Sequence, residues 1–62
     1  MTTAYVVQSM RDYTFLYCGD SGDIDHTPRL SLAGRFYDYE QAHDAGFSEI
    51  GCDFEVIPVI ED

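Results

Sequence analysis

The longest apolar run in the chain, Val56-Ile57-Pro58-Val59-Ile60, carries a proline at its centre. Around it the pattern alternates. Phe54, Val56, Pro58 and Ile60 fall on one side of an extended segment; Glu55, Ile57, Val59 and Glu61 fall on the other. Proline has no N–H to give to a ladder, so a strand over 54–60 belongs at a sheet edge. In 62 residues there is room for one sheet and one helix. A chain of this size buries only roughly 60% of the surface its unfolded form exposes. The position of one proline therefore constrains the strand order strongly.

Two further strands are legible. Ala4-Tyr5-Val6-Val7-Gln8-Ser9-Met10 and Tyr13-Thr14-Phe15-Leu16-Tyr17-Cys18 are rich in β-branched and aromatic residues. Arg11-Asp12 breaks them and Gly19 ends the second, which predicts a hairpin. Putting the proline strand at an edge beside the first gives the order second–first–last. Residues 19–28, GDSGDIDHTP, are dense in turn-formers and read as a loop. Thr27-Pro28 suits the opening of a short helical turn that Gly34 closes.

The main helix signal is Asp38-Tyr39-Glu40-Gln41, where Asp38 caps and Gln41 reaches back to the Asp38 N–H. Phe36, Ala42 and Ala45 supply an apolar stripe, and Gly46 a C-terminal stop. The helix is thus expected over 39–45, with Phe47 and Ile50 tucked beneath it. The expectation is a single α+β domain over 1–62: a three-stranded antiparallel sheet, ββαβ, with one short helix on one face.

The charge is lopsided. Twelve carboxylates face three arginines with no lysine, a formal net charge of -9. Such a surface repels nucleic acid and membrane phosphates, which argues against direct contact with either. Nine aromatic residues' worth of composition, 15%, supplies core material that a disordered acidic chain would lack.

No residue grouping spells out a reaction, so no enzyme, cofactor or metal is expected. The loop 20–26 has oxygen ligands at alternate positions, but from Asp23 the sixth position is Pro28 and the twelfth Gly34, where a calcium loop needs glycine and glutamate. His26 and His43 lack zinc-ligand spacing. Cys18, one histidine and one acid have no local sequence to support a nucleophilic triad. Met1-Thr2-Thr3 does not read as a secretory signal and no run is long enough to span a bilayer. A cytoplasmic monomer with two free, mostly buried thiols is expected; the alternative is a Cys18–Cys52 disulfide formed across strands.

Three readings accommodate the acidity. In the first, carboxylates displayed by a small fold occupy a basic groove built for DNA. Candidate contacts are the loop acids Asp20, Asp23 and Asp25, the helix acids Asp38, Glu40 and Asp44, and a strand row of Asp53 and Glu55 continuing to Glu61. Glu40 and Asp44 form a like-charge i,i+4 pair, and Asp44 sits near the expected C-terminal end, where the helix dipole disfavours an anion. In the second, the acidity is compositional, reflecting salt adaptation or avoidance of lysine. In the third, the chain is a small partner-binding module kept soluble by its charge, with the apolar pair Ile57 and Val59 facing outward to do the binding.

The segments Ala4-Tyr5-Val6-Val7, Phe15-Leu16-Tyr17, Ala33-Gly34-Arg35-Phe36-Tyr37-Asp38-Tyr39-Glu40-Gln41-Ala42 and Phe54-Glu55-Val56-Ile57-Pro58-Val59 together resemble small proteins of phages and mobile elements. With the acidity added, the chain resembles DNA-mimicking anti-CRISPR proteins that inhibit type I systems, type I-C among them. That resemblance implies binding to the basic DNA-recognition surface of a Cascade subunit in a bacterial host cell, blocking target DNA. It supplies no motif from which single functional residues carry over.

Overall fold

The computed structural model describes residues 1–19 and 22–61. Asp20, one of the expected loop acids, lies outside the described residues, as do Ser21 and Asp62. The chain runs β1 (Thr2–Ser9), β2 (Phe15–Cys18), β3 (Ile24–Thr27), a 3₁₀ turn (Leu30–Leu32), α1 (Tyr39–Glu49) and β4 (Phe54–Glu61). The sheet is antiparallel with order β3-β2-β1-β4, so the architecture is α+β, βββαβ.

The expected core of this arrangement is present. β4, with its proline, is an edge strand, and it pairs with β1 along the full length of both. The expectation of three strands is corrected to four. Ile24–Thr27, assigned to the loop, pairs with β2 from Phe15↔Thr27 to Cys18↔Ile24. A tight turn makes this possible: the Gly19 N–H donates to the Asp23 carbonyl at 2.8 Å, and Gly22 takes φ 87°. Glycine adopts that conformation without steric penalty. The turn-forming composition fits Gly19 and Gly22, but the four residues of β3, with one strong apolar side chain, gave the strand no visible period.

The hairpin between β1 and β2 is barely zipped. Gln8↔Phe15 is its only ladder pair, and beyond it the strands part. Residues 34–36 fill the gap. The Gly34 N–H donates to the Leu16 carbonyl at 2.9 Å, and Tyr5 and Phe36 exchange two backbone bonds at 2.7 and 2.9 Å. A Cβ at Gly34 would lie 3.3 Å from the Tyr17 Cα, so a side chain there would press on backbone. The short helix expected from Thr27 to Gly34 shrinks accordingly to one 3₁₀ turn. Thr27 ends β3, and its Oγ1 accepts the Arg29 N–H at 3.3 Å.

At the tip of the hairpin, Ser9 donates to the Thr14 carbonyl and accepts from the Tyr13 N–H, at 2.8 and 2.9 Å. Closing the turn this way forces Tyr13 to φ 61°. A left-handed conformation costs a non-glycine residue about 1–2 kcal/mol. Tyr13 is exposed, so no packing compensates. Tyr13→Gly is expected to stabilise the domain by about 0.5–1 kcal/mol after the unfolded-state entropy of glycine is set against the relieved strain. Urea denaturation should show a raised midpoint at unchanged slope; a lowered midpoint would count against strain at this turn.

Beside it, Asp12 Oδ1 accepts from the Thr14 hydroxyl at 2.8 Å and the Thr14 N–H at 3.2 Å. These bonds, the hydroxyl first, hold the Asp12 pKa below its ordinary value. The turn's contribution is therefore present above the ordinary carboxylate range and lost as pH falls through the lowered value.

α1 departs from expectation at its end. The helix continues through Gly46 to Glu49, and Gly51 is the terminating glycine. Gly51 has φ 103°, and its N–H reaches the Gly46 and Phe47 carbonyls at 3.3 and 3.2 Å. Gly46 serves packing instead: a Cβ there would lie 2.5 Å from the Phe54 ring. Asp38 does cap, its Oδ1 accepting the Glu40 N–H at 2.9 Å. The reciprocal bond from Gln41 does not form among the described residues.

The sheet buries apolar groups on both faces. α1 covers one, where Val7, Leu16, Ala42 and Ile50 form a buried cluster flanked by Tyr5, Phe36, Ala45, Phe54 and Val56. On the other, Val6, Phe15 and Ala33 pack with Ile57 and Val59. Ile57 and Val59 are therefore not an outward apolar pair: the chain leading from the 3₁₀ turn brings Ala33 over that face. Phe47, expected beneath the helix with Ile50, is 60% exposed, because the longer helix carries it round to the outside.

Candidate functional site

Every described carboxylate except Glu61 is exposed. Several are nonetheless engaged within the fold. Asp38 caps α1. Asp25 Oδ1 accepts the N–H of His26 at 2.8 Å. Asp53 Oδ2 lies 3.6 Å from Arg11 Nε, with both side chains exposed. Such a pair contributes little to stability. Glu61 is the best held: it lies 3.9 Å from Arg35 Nε and accepts a hydrogen bond from the Tyr37 hydroxyl, which raises the Tyr37 pKa. By contrast, the carboxylates of Glu40, Asp44 and Glu55 make no hydrogen bond or ion pair among the described residues.

Strand register assigns the acids to faces. Through the pairs Gln8↔Glu55, Gln8↔Phe15, Thr2↔Glu61 and Tyr17↔Asp25, the residues Glu55, Glu61 and Asp25 share the face away from α1. Glu40 and Asp44 stand on α1, across the sheet. Asp23 and Asp25 lie at the β3 edge, opposite the β4 edge. Asp53 precedes β4, and Ile57 and Val59 separate Glu55 from Glu61 on the shared face. The structure thus distributes the acids over two faces and two edges. Only Glu40, Asp44 and Glu55 lie around one feature.

That feature is an open groove of about 530 Å³ between α1 and β4, lined by Tyr39, His43, Phe47, Cys52, Phe54, Glu55 and Val56. Tyr39, His43 and Phe47 recur at every fourth residue, so they form one stripe along the helix. The rings of Tyr39 and His43 are in contact with the sheet. Tyr39 meets Tyr5 edge-on with centroids 5.8 Å apart, and His43 meets Phe54 at 5.2 Å and 64°. Tyr39 and His43 stack at 6.3 Å and 29°. Glu40 and Asp44 border the same rings on the helix. The stripe was present in the sequence as Tyr39-x₃-His43-x₃-Phe47. It was hidden by reading Gly46 as the helix stop, which removed Phe47 from the periodic segment.

The longer helix also moves the electrostatic argument. Asp44 now lies in its middle, and the anion set against the dipole is Glu49, in the last turn. The Glu40–Asp44 repulsion is unaffected.

Cys18 and Cys52 are both free and both exposed, which corrects the expectation of buried thiols. Among the described residues no group of three or more His, Cys, Asp or Glu side chains is gathered to hold a metal ion, and no helix is long and apolar enough to cross a membrane. No family model, curated protein or solved structure matches the chain.

Proposed function

We propose that the protein is a non-enzymatic inhibitor that occupies a cationic, DNA-binding surface of another protein, in the manner of an anti-CRISPR protein acting on a Cascade subunit of a type I system. The observation that carries the reading is the charge balance at the surface. The described acids are exposed with one exception, while of the three arginines Arg11 and Arg35 stand beside Asp53 and Glu61 and only Arg29 has no ion pair among the described residues. Little positive potential is left to offset the anionic field, which steers encounter with a basic surface.

The placement of the acids restricts how such a partner engages. A flat cationic surface meets only one patch. A cleft that closes around the β4 edge reaches Glu55 on one face of the sheet and Glu40 and Asp44 on the other. The contacts are then charge-assisted hydrogen bonds from Arg and Lys, with a few acids mattering strongly.

The test is competition with duplex DNA for purified Cascade. Charge reversal is made in three sets: Glu40→Lys with Asp44→Lys, Asp23→Lys with Asp25→Lys, and Asp53→Lys with Glu55→Lys. At least one set is expected to weaken inhibition tenfold or more, and rising salt is expected to weaken the wild type. Inhibition left intact by all three sets would sink the proposal.

The aromatic groove favours a second reading, a small acidic partner-binding module of phage origin whose affinity comes from apolar docking. Binding of that kind changes little between low and high salt, which separates the two.

A further inference from the structure

We infer that the groove between α1 and the outer edge of β4 receives a short extended segment of a basic partner protein, which pairs with the backbone of Phe54 and Val56 and lays arginine side chains over the exposed rings of Tyr39 and Phe47. The partner's charge rests on the reading above; the groove and the open edge do not.

The direction of the β4 backbone follows from Tyr5. Its N–H and C=O are both used by Phe36, on the side of β1 away from β4. Successive residues of a strand present these groups to alternate sides, so Ala4, Val6 and Gln8 bond toward β4. Their partners Val59, Ile57 and Glu55 bond back. The Met10 N–H to Asp53 carbonyl bond, 2.8 Å, continues that alternation. The intervening residues Phe54, Val56, Pro58 and Ile60 therefore turn their backbone groups to the free edge. An edge of this kind is a template for an added strand.

Pro58 limits where a strand can add. Its ring stands where an outward N–H would be, so pairing along the edge is interrupted past Val56. The usable edge is the stretch beside the groove. There the side chains supply what backbone pairing lacks, namely specificity. Tyr39 and Phe47 are 53% and 60% exposed. Arginine is the side chain suited to stacking there while reaching carboxylates. Glu40 and Asp44 border the Tyr39 and His43 rings on the helix, Glu55 lies across the β4 edge on the opposite face, and no lysine or arginine lines the groove. An acidic segment is repelled by these carboxylates. A second copy is disfavoured because it brings a net charge of -9 against another.

The probe is a synthetic peptide, acetyl-Val-Arg-Val-Arg-Val-amide, titrated into the whole ¹⁵N-labelled chain, with a glutamate-for-arginine peptide as control. Amide shifts are expected at 39–47 and 54–56, from the arginine peptide only. Val56→Pro removes an outward N–H that the sheet does not use, and Phe47→Ala removes an exposed ring outside the buried clusters. Each is expected to weaken peptide binding tenfold or more. Phe47→Ala carries the test if the loss of the half-buried Val56 side chain disturbs folding. Shifts centred on Asp23, Asp25 and Glu61, equal binding of the glutamate peptide, or wild-type binding by both variants would overturn the inference. Cascade inhibition that is lost on charge reversal but unaffected by both groove variants also overturns it and leaves mimicry standing. Peptide capture in the groove with no effect on Cascade supports the groove and overturns mimicry alone.

Discussion

Leu16→Ala is expected to leave a large fraction of the chain unfolded at room temperature. Leu16 is the largest of the fully buried side chains, 1% exposed, and it lies in the cluster that joins β1, β2 and α1. Truncating a buried leucine to alanine costs about 2–5 kcal/mol, the lost transfer energy plus the cavity left behind. Folded domains carry roughly 0.05–0.15 kcal/mol of stability per residue, so a chain this short has about 3–9 kcal/mol in total. The substitution removes about a fifth of that at one extreme of these ranges and more than all of it at the other. Leu16 also has a backbone duty, since its carbonyl accepts the Gly34 N–H. Loosening the side chain therefore disturbs the segment wedged between β1 and β2. Far-ultraviolet circular dichroism against temperature is the measurement. A melting transition within a few degrees of wild type would mean that α1 is not docked over Leu16.

Gly46→Ala brings two opposing effects, and magnitudes decide between them. Alanine in place of a mid-helix glycine gains up to about 1 kcal/mol of helix propensity. The added methyl meets the Phe54 ring at 2.5 to 2.9 Å, including its base carbon, so rotating the ring does not clear it. Overpacking of this kind costs about 1–3 kcal/mol. The ring must move outward as a unit, and its 5.2 Å contact with His43 goes with it. The net expectation is destabilisation by about 1 kcal/mol, and rearrangement of the groove. Urea denaturation reads the first effect, and the Phe54 and His43 ring proton shifts read the second. A variant more stable than wild type, with those shifts unchanged, would show that α1 stands further from β4 than described.

The same glycine marks the limit of what the sequence disclosed. Asp38 as a cap, the two hairpin strands and the edge position of the proline strand each follow from local chemistry, and each was legible. Gly46 and Gly51 are alike in a one-dimensional reading, since both follow a plausible last turn. Only the Phe54 ring, eight residues past Gly46, distinguishes a packing glycine from a terminating one. β3 and the 34–36 wedge depend on partners in β2 and β1 and carry almost no period of their own. The candidate site was partly visible. Its acids could be counted, but which of them the fold uses for itself, as with Asp38, Asp53 and Glu61, depends on tertiary neighbours. The groove is a product of α1 meeting β4 and was not available to any local window.

The pairing of β1 with β4 has a consequence for how the chain reaches its native state. These strands stand at opposite ends of the described chain and pair along their whole length, whereas the neighbouring strands β1 and β2 hold a single ladder pair. Contacts between sequence-distant segments are slow to form, because loop closure must precede any gain from them. The local hairpin offers little to hold the first residues while the rest is awaited. During synthesis Val6 and Val7 consequently remain without their main partners until Val56 and Ile57 have emerged. The order of events is thereby pushed toward one late, concerted closure, with the strand that arrives last completing both layers of the core.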